Sequence, residues 1–136
     1  MGKEFTYSKQ EKLKSRKLLE AIFKKGQSFT VYPIKLFYLQ PDEPVDFYIK
    51  AGVGVSSRHF KHAVDRNRIK RMLREAYRTQ KQPLHTVLAE NGKQMAAFFL
   101  YIDKVLPEYA VLELKMQQVL AKLEKHIQHE NLASNT

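Results

Sequence analysis

The densest chemistry in this 136-residue chain lies in residues 63–78, AVDRNRIKRMLREAYR, where five arginines and one lysine occupy sixteen positions. Guanidinium groups are planar, permanently charged and forked, so they grip phosphate oxygens in pairs where an ammonium offers a point charge. At about 100° per residue, Ile69, Met72, Leu73 and Ala76 fall on one side of a helix. Asn67, Lys70, Arg71, Arg74 and Arg78 gather opposite, Arg66 and Arg68 widen the positive surface on its flanks, and Tyr77 sits at the border. Asp65 in the first turn suits a helix N-terminus. Glu75 is one helical turn from Arg71 and Arg78 and can pair with either, which leaves most of the cations unneutralised. Like charges at these spacings cost a bare helix about 0.2–0.5 kcal/mol per pair. A polyanion turns that repulsion into attraction by counterion release. An ordinary solvated helix face gains nothing from such self-repulsion, so the segment predicts a phosphate-binding surface.

Groups for bond-breaking chemistry are missing from the sequence. His59 and His62 are three residues apart, as are His126 and His129, but no carboxylate stands at a zinc-site spacing, and exposed histidines are the simpler reading. There is no phosphate-binding GxxxxGK run, no GxGxxG between a strand and a helix, and no nucleophile elbow. Asp42, Glu43 and Asp46 lie in or beside a turn and read as solvated charge. With no cysteine there is neither a disulfide framework nor a thiolate site, which suits a reducing, cytoplasmic setting. The expectation is a binding protein with no self-contained catalytic site and no metal ligands of its own.

The net charge of +10 is unevenly spread. Residues 1–25 carry +5 and residues 58–78 carry +6, while residues 26–57 carry −1 and residues 79–136 are neutral. Localised positive potential implies an anionic partner. The 43% hydrophobic content argues for a folded domain rather than a basic tail. No apolar run approaches the roughly 20 residues that span a bilayer, so no membrane role is expected.

The elements that must position these residues read as one α+β domain over residues 1–136, with about the first ten and last six residues flexible. Leu18, Leu19, Ile22 and Phe23 form a helical stripe over 15–25, closed by Gly26. Residues 28–40 read as a strand, with Pro33 marking its start or an edge. Residues 45–57 alternate: Phe47, Ile49, Ala51, Val53 and Val55 face one way, and Tyr48, Lys50, Gly52 and Gly54 the other. The basic helix ends near residue 80, before Pro83. Residues 81–93 are expected to be a connector with a helical turn around Leu84–Ala89. Residues 94–103 read as a strand covered on both faces. A last helix opens at Pro107 with Leu112, Met116, Val119, Leu120, Leu123 and Ile127 on one stripe.

Three stretches in this order resemble one family. AVDRNRIKRMLREAYR is similar to the Arg-Asn-Arg motif of the bacterial ribonuclease P protein subunit. LKSRKLLEAIFKKGQSF resembles that family's first helix and closing glycine, and AGVGVSSRHFKHAVDRNRIKR resembles the strand leading into the motif. The resemblance covers about residues 12–127. It implies an αβββαβα fold with a left-handed β-α-β crossover carrying the motif helix, one strand more than the elements above. Dividing 28–40 or 45–57 supplies the extra strand.

The resemblance also implies a role: subunit of a ribonucleoprotein endonuclease that removes the 5′ leader from precursor tRNA. The RNA subunit carries the active site and holds most of the Mg²⁺. The implied partners are that RNA and the leader, with no obligate protein partner. Arg66, Asn67, Arg68, Lys70, Arg71, Arg74 and Arg78 then contact RNA, with Arg58 and Lys61 (and His59) in the preceding loop. Leu19, Phe23, Lys35, Phe37, Lys50 and Gly54 line a leader cleft between the first helix and the sheet. Leu19 stands where the family usually has an aromatic, which removes one stacking platform. Read from its helix stripe alone, Phe23 is core. Two other functions fit the charge: a ribosomal-type protein that binds structured RNA without an enzyme, and a basic protein of membranes or duplex DNA.

Overall fold

Arg16–Lys25 form helix α1, the first element of a computed structural model that describes residues 16–41 and 48–134. Gly26 ends it, its N–H donating to the Ile22 carbonyl at 2.9 Å. A Cβ at this position would collide with the Ile22 carbonyl and lie 2.7 Å from the Tyr38 carbonyl, so only glycine lets the chain turn here. Strands β1 (Gln27–Val31) and β2 (Ile34–Leu39) follow. The stretch 28–40, read above as one strand, is therefore a hairpin in which Val31 pairs with Ile34 and Gln27 with Tyr38. Pro33 sits in its two-residue turn, after a cis peptide bond, where no ladder donor is needed.

Strand β3 (Ile49–Val55) is the predicted second strand, shorter than 45–57, and Asp42, Glu43, Asp46 and Phe47 lie outside the described residues. Helix α2 (Ala63–Gln80), helix α3 (Gln82–Glu90), strand β4 (Met95–Tyr101) and helix α4 (Tyr109–Ser134) complete the order αβββααβα. The expected connector at 81–93 is largely a nine-residue helix. Pro83 occupies its first turn, where a missing N–H is tolerated, and Leu84, Val87 and Leu88 are buried. The last helix continues through Ser134, into the tail expected to fray. Residues 1–15, which include the ten expected to be flexible, are outside the described set.

The sheet order is β1-β2-β4-β3. β1 and β2, and β2 and β4, pair antiparallel, while β3 and β4 are parallel and are joined through α2 and α3. One sheet face carries the core. Leu36, Tyr38, Ala51, Ala97, Phe99 and Tyr101 meet Ile69, Leu73, Ala76 and Tyr77 of α2 and the predicted stripe of α4. Tyr77 is not at the border but buried, its ring 5.5 Å from Phe99. The Tyr38 hydroxyl donates to Gln27 Oε1 at 2.8 Å and is hydrogen-bonded with His126 Nδ1 at 3.1 Å, tying α4 to the hairpin. The Tyr101 hydroxyl donates to the Val105 carbonyl at 2.6 Å, and burial pushes its pKa up to about 12.

β4 departs from expectation. It is central, yet only one of its faces is fully buried: Ala97, Phe99 and Tyr101 are enclosed, while Phe98 and Leu100 are half-buried. The alternation means that the opposite sheet face remains partly open, and α1 lies over it.

Candidate RNA interface

On α2 the apolar stripe faces the core and leaves the cations outside. Asn67, Arg68, Arg71 and Arg74 are exposed, and Lys70 and Arg78 are half-buried. Arg78 is the arginine that Glu75 takes: Nη2 lies 2.6 Å from Oε1 and Nε lies 3.0 Å from Oε2. The two side chains form an ion pair one turn apart on the helix. Hydrogen bonds from Arg78 hold the Glu75 carboxyl below its ordinary pKa. With the Glu75 carboxylate taken by Arg78, the exposed Arg68, Arg71 and Arg74 turn their charge outward, an arrangement suited to a line of phosphates.

Arg66 is placed differently from the rest of the motif. Its Nη1 donates to the carbonyls of Phe60 and Lys61, at 2.7 and 2.8 Å. The guanidinium thus braces the loop over 56–62 against the first turn of α2. Phe60 anchors the same loop in the core, 6.2 Å from the Tyr101 ring. Arg58, His59 and Lys61 remain exposed on it, beside the start of the basic helix. The local sequence explains the loop: one apolar residue, Phe60, is buried between polar neighbours.

The second surface is the open sheet face. Cross-strand partners share a face, and the register sets three rows across β2, β4 and β3. Lys35, Leu100 and Gly54 form the first, Phe37, Phe98 and Gly52 the second, and Leu39, Ala96 and Lys50 the third. Alternation groups Lys35 with Phe37 on one strand and Lys50 with Gly54 on another; the register now puts both pairs on one sheet face, with β4 between the two strands. α1 crosses above. The Phe23 ring sits 5.0 Å from Phe37 and 5.5 Å from Phe98, edge-on to both, and remains 49% exposed. It is not the core residue that its stripe suggests; of that stripe only Ile22 is buried. Leu19 is half-buried one turn away. Lys35 Nζ stands 5.0 Å from the Phe37 ring centroid, a cation–π distance.

Phe98 is the residue that the sequence reading missed. Within the apolar run MAAFFLY nothing distinguishes it from Phe99. The floor is also less bare than the glycines suggest, because the Phe98 ring lies against Gly54. Together the two surfaces offer exposed arginines for phosphates and grouped rings for unstacked bases.

Fold and surfaces define a basic α+β protein equipped to hold nucleic acid; among the described residues no three His, Cys, Asp or Glu side chains gather into a metal set. None of the described helices is long and apolar enough to cross a membrane. Residues 7–130 match the Ribonuclease P family. The chain is 35% identical over 119 residues to the ribonuclease P protein component of Porphyromonas gingivalis, covering 88% of this chain and 87% of that one. It is 32% identical over 122 residues to that of Chlorobium phaeobacteroides, covering 82% and 84%. Its fold is similar to the RNase P protein from Thermotoga maritima, with a TM-score of 0.63 at 21% identity over 82% of this chain and 96% of that one. Staphylococcus aureus RNase P protein gives 0.53 at 23% identity, over 85% and 93%. The chain belongs to the ribonuclease P protein family, the protein component of a tRNA-processing ribonucleoprotein. The ribosomal-type and membrane or duplex-DNA alternatives fall away with that membership.

Proposed function

We propose that α2 and the 56–62 loop hold the ribonuclease P RNA while the open sheet face beneath α1 receives the 5′ leader of precursor tRNA. The RNA subunit carries the active site in this reading. The observation that carries it is the grouping of Phe23, Phe37 and Phe98 with Lys35 on the sheet face that the core leaves open. Rings accept any base by stacking, and a nearby ammonium favours the backbone, which suits leaders of varied sequence.

Mg²⁺ belongs with the RNA. The described protein residues gather no acidic or histidine set, and the exposed arginines of α2 would repel a divalent cation. The reading includes a cytoplasmic location, where the RNA partners are transcribed, and no obligate protein partner.

The test uses purified chain, a bacterial ribonuclease P RNA, Mg²⁺ and a labelled precursor tRNA. The chain alone is expected to leave the substrate intact, and the mixture to release the leader at low protein concentration. Metal-dependent cleavage by the RNA-free chain would refute the division of labour.

A further inference from the structure

We propose that Phe98 is a leader-contacting residue and that Gly54 is the socket that seats its ring; the inference rests on the leader reading above. Gly54 lies inside β3, where glycine sacrifices strand stability. Its backbone does not need glycine for a turn, since it pairs regularly with Leu100. Space is what it provides. A Cβ at position 54 would lie 2.5 Å from Phe98 Cζ and 3.0 Å from Cε1, well inside van der Waals contact with a rigid ring. Any side chain there evicts the ring from its present position.

The seated ring matters because of what it touches. Phe98 is the direct cross-strand partner of Phe37, so the two form adjoining parts of one floor. Phe23 stands edge-on to both, at 5.5 and 5.0 Å, and is therefore steadied by two rings rather than one. Phe98 is half-buried on the open face while Ala97 and Phe99 on either side are fully enclosed, so it contributes to a surface rather than to the core. The ligand that fits three grouped rings beside Lys35 is single-stranded RNA with unstacked bases.

A double-mutant cycle tests this on the assembled ribonucleoprotein, reading affinities for precursor and mature tRNA and the melting temperature of each protein. Phe98→Leu keeps an apolar side chain but removes the ring. It is expected to weaken precursor tRNA binding about tenfold, within the range of a lost base–aromatic stack, and to leave mature tRNA unaffected. Phe98→Tyr is expected to retain the precursor preference. Gly54→Ala is expected to weaken precursor binding in the parent chain yet to add no further loss when combined with Phe98→Leu, because the obstructing ring is gone. Equal losses from Gly54→Ala in both backgrounds, or equal effects of Phe98→Leu on precursor and mature tRNA, would overturn the proposal. Phe23→Ala separates the two levels. If it abolishes the precursor preference while Phe98→Leu does not, only the Phe98 assignment fails. If neither change alters the preference, the leader reading fails as well.

Discussion

Helix α2 and the cleft beneath α1 hold their binding groups in opposite ways. On α2, Arg68, Arg71 and Arg74 are exposed while Glu75 is taken by Arg78, each arginine projecting from a helix whose other side is fixed in the core. In the cleft, Phe23, Phe37 and Phe98 come from three elements, the Phe23 ring set edge-on against those of the cross-strand partners Phe37 and Phe98, while Lys35 and Lys50 stand in different rows. Coulomb attraction to a polyanion acts over a Debye length of about 8–10 Å and tolerates imprecise placement. Stacking requires a ring at van der Waals distance in a set orientation. A charged surface can therefore be built from one helix, whereas the cleft needs the sheet to be assembled first. Mutations should divide along that line.

The largest effect is expected at Phe37. Phe37→Ala should lower precursor tRNA affinity by about 1–3 kcal/mol and leave mature tRNA nearly unchanged, if a base stacks there. Were Phe37 simply core, truncation would cost about 3–5 kcal/mol of folding stability instead. Thermal unfolding and the two affinities, measured on one variant, decide. A large stability loss with equal effects on both tRNAs would erase the difference between the two regions.

Next come the arginines. Arg71→Gln or Arg74→Gln should reduce the log–log salt slope of RNA-subunit binding by about 0.7–0.9 with little effect on folding. Arg66→Gln sharpens the comparison. Because its Nη1 is committed to the Phe60 and Lys61 carbonyls, it should change the slope less while loosening the 56–62 loop. Faster amide exchange in that loop with a nearly constant slope is the expected result. A slope change as large as that of Arg71 would return Arg66 to the phosphate-binding set. Asn67→Ala should weaken binding with no slope change, since an amide supplies directed hydrogen bonds and no charge.

The smallest effect is expected at Glu75. Its carboxyl pKa is lowered by hydrogen bonds from Arg78, so its contribution to stability is present above the unfolded-state carboxylate pKa. That contribution is lost as pH falls through the folded-state value. Because the pair is largely solvent-exposed, Glu75→Gln should barely shift the melting temperature at neutral pH, and the shift should vanish in strong acid. RNA affinity should rise slightly as Arg78 is released from its acid. A fall in affinity would show that Glu75 orients Arg78 for the RNA.

The sequence alone determined the parts of this protein that repeat along a single element. The α2 stripe of Ile69, Leu73 and Ala76 and the α4 stripe from Leu112 to Ile127 were readable because helical spacing needs only local residues, and both are buried. The outward arginines followed from the same geometry, and the three matching stretches carried the family resemblance. Tertiary structure decided what depends on neighbours distant in sequence. Alternation put Lys35 and Phe37 on one face and Lys50 and Gly54 on another, but only strand order brought them together with β4 between. The same pairing separated Phe98 from Phe99 within one apolar run and gave Gly54 its ring. It also turned Phe23 from a core-like stripe residue into a half-exposed one, because α1 packs over the open sheet face rather than into the core. Arg66 was legible as charge, whereas its partners are backbone carbonyls, which carry no sequence signature.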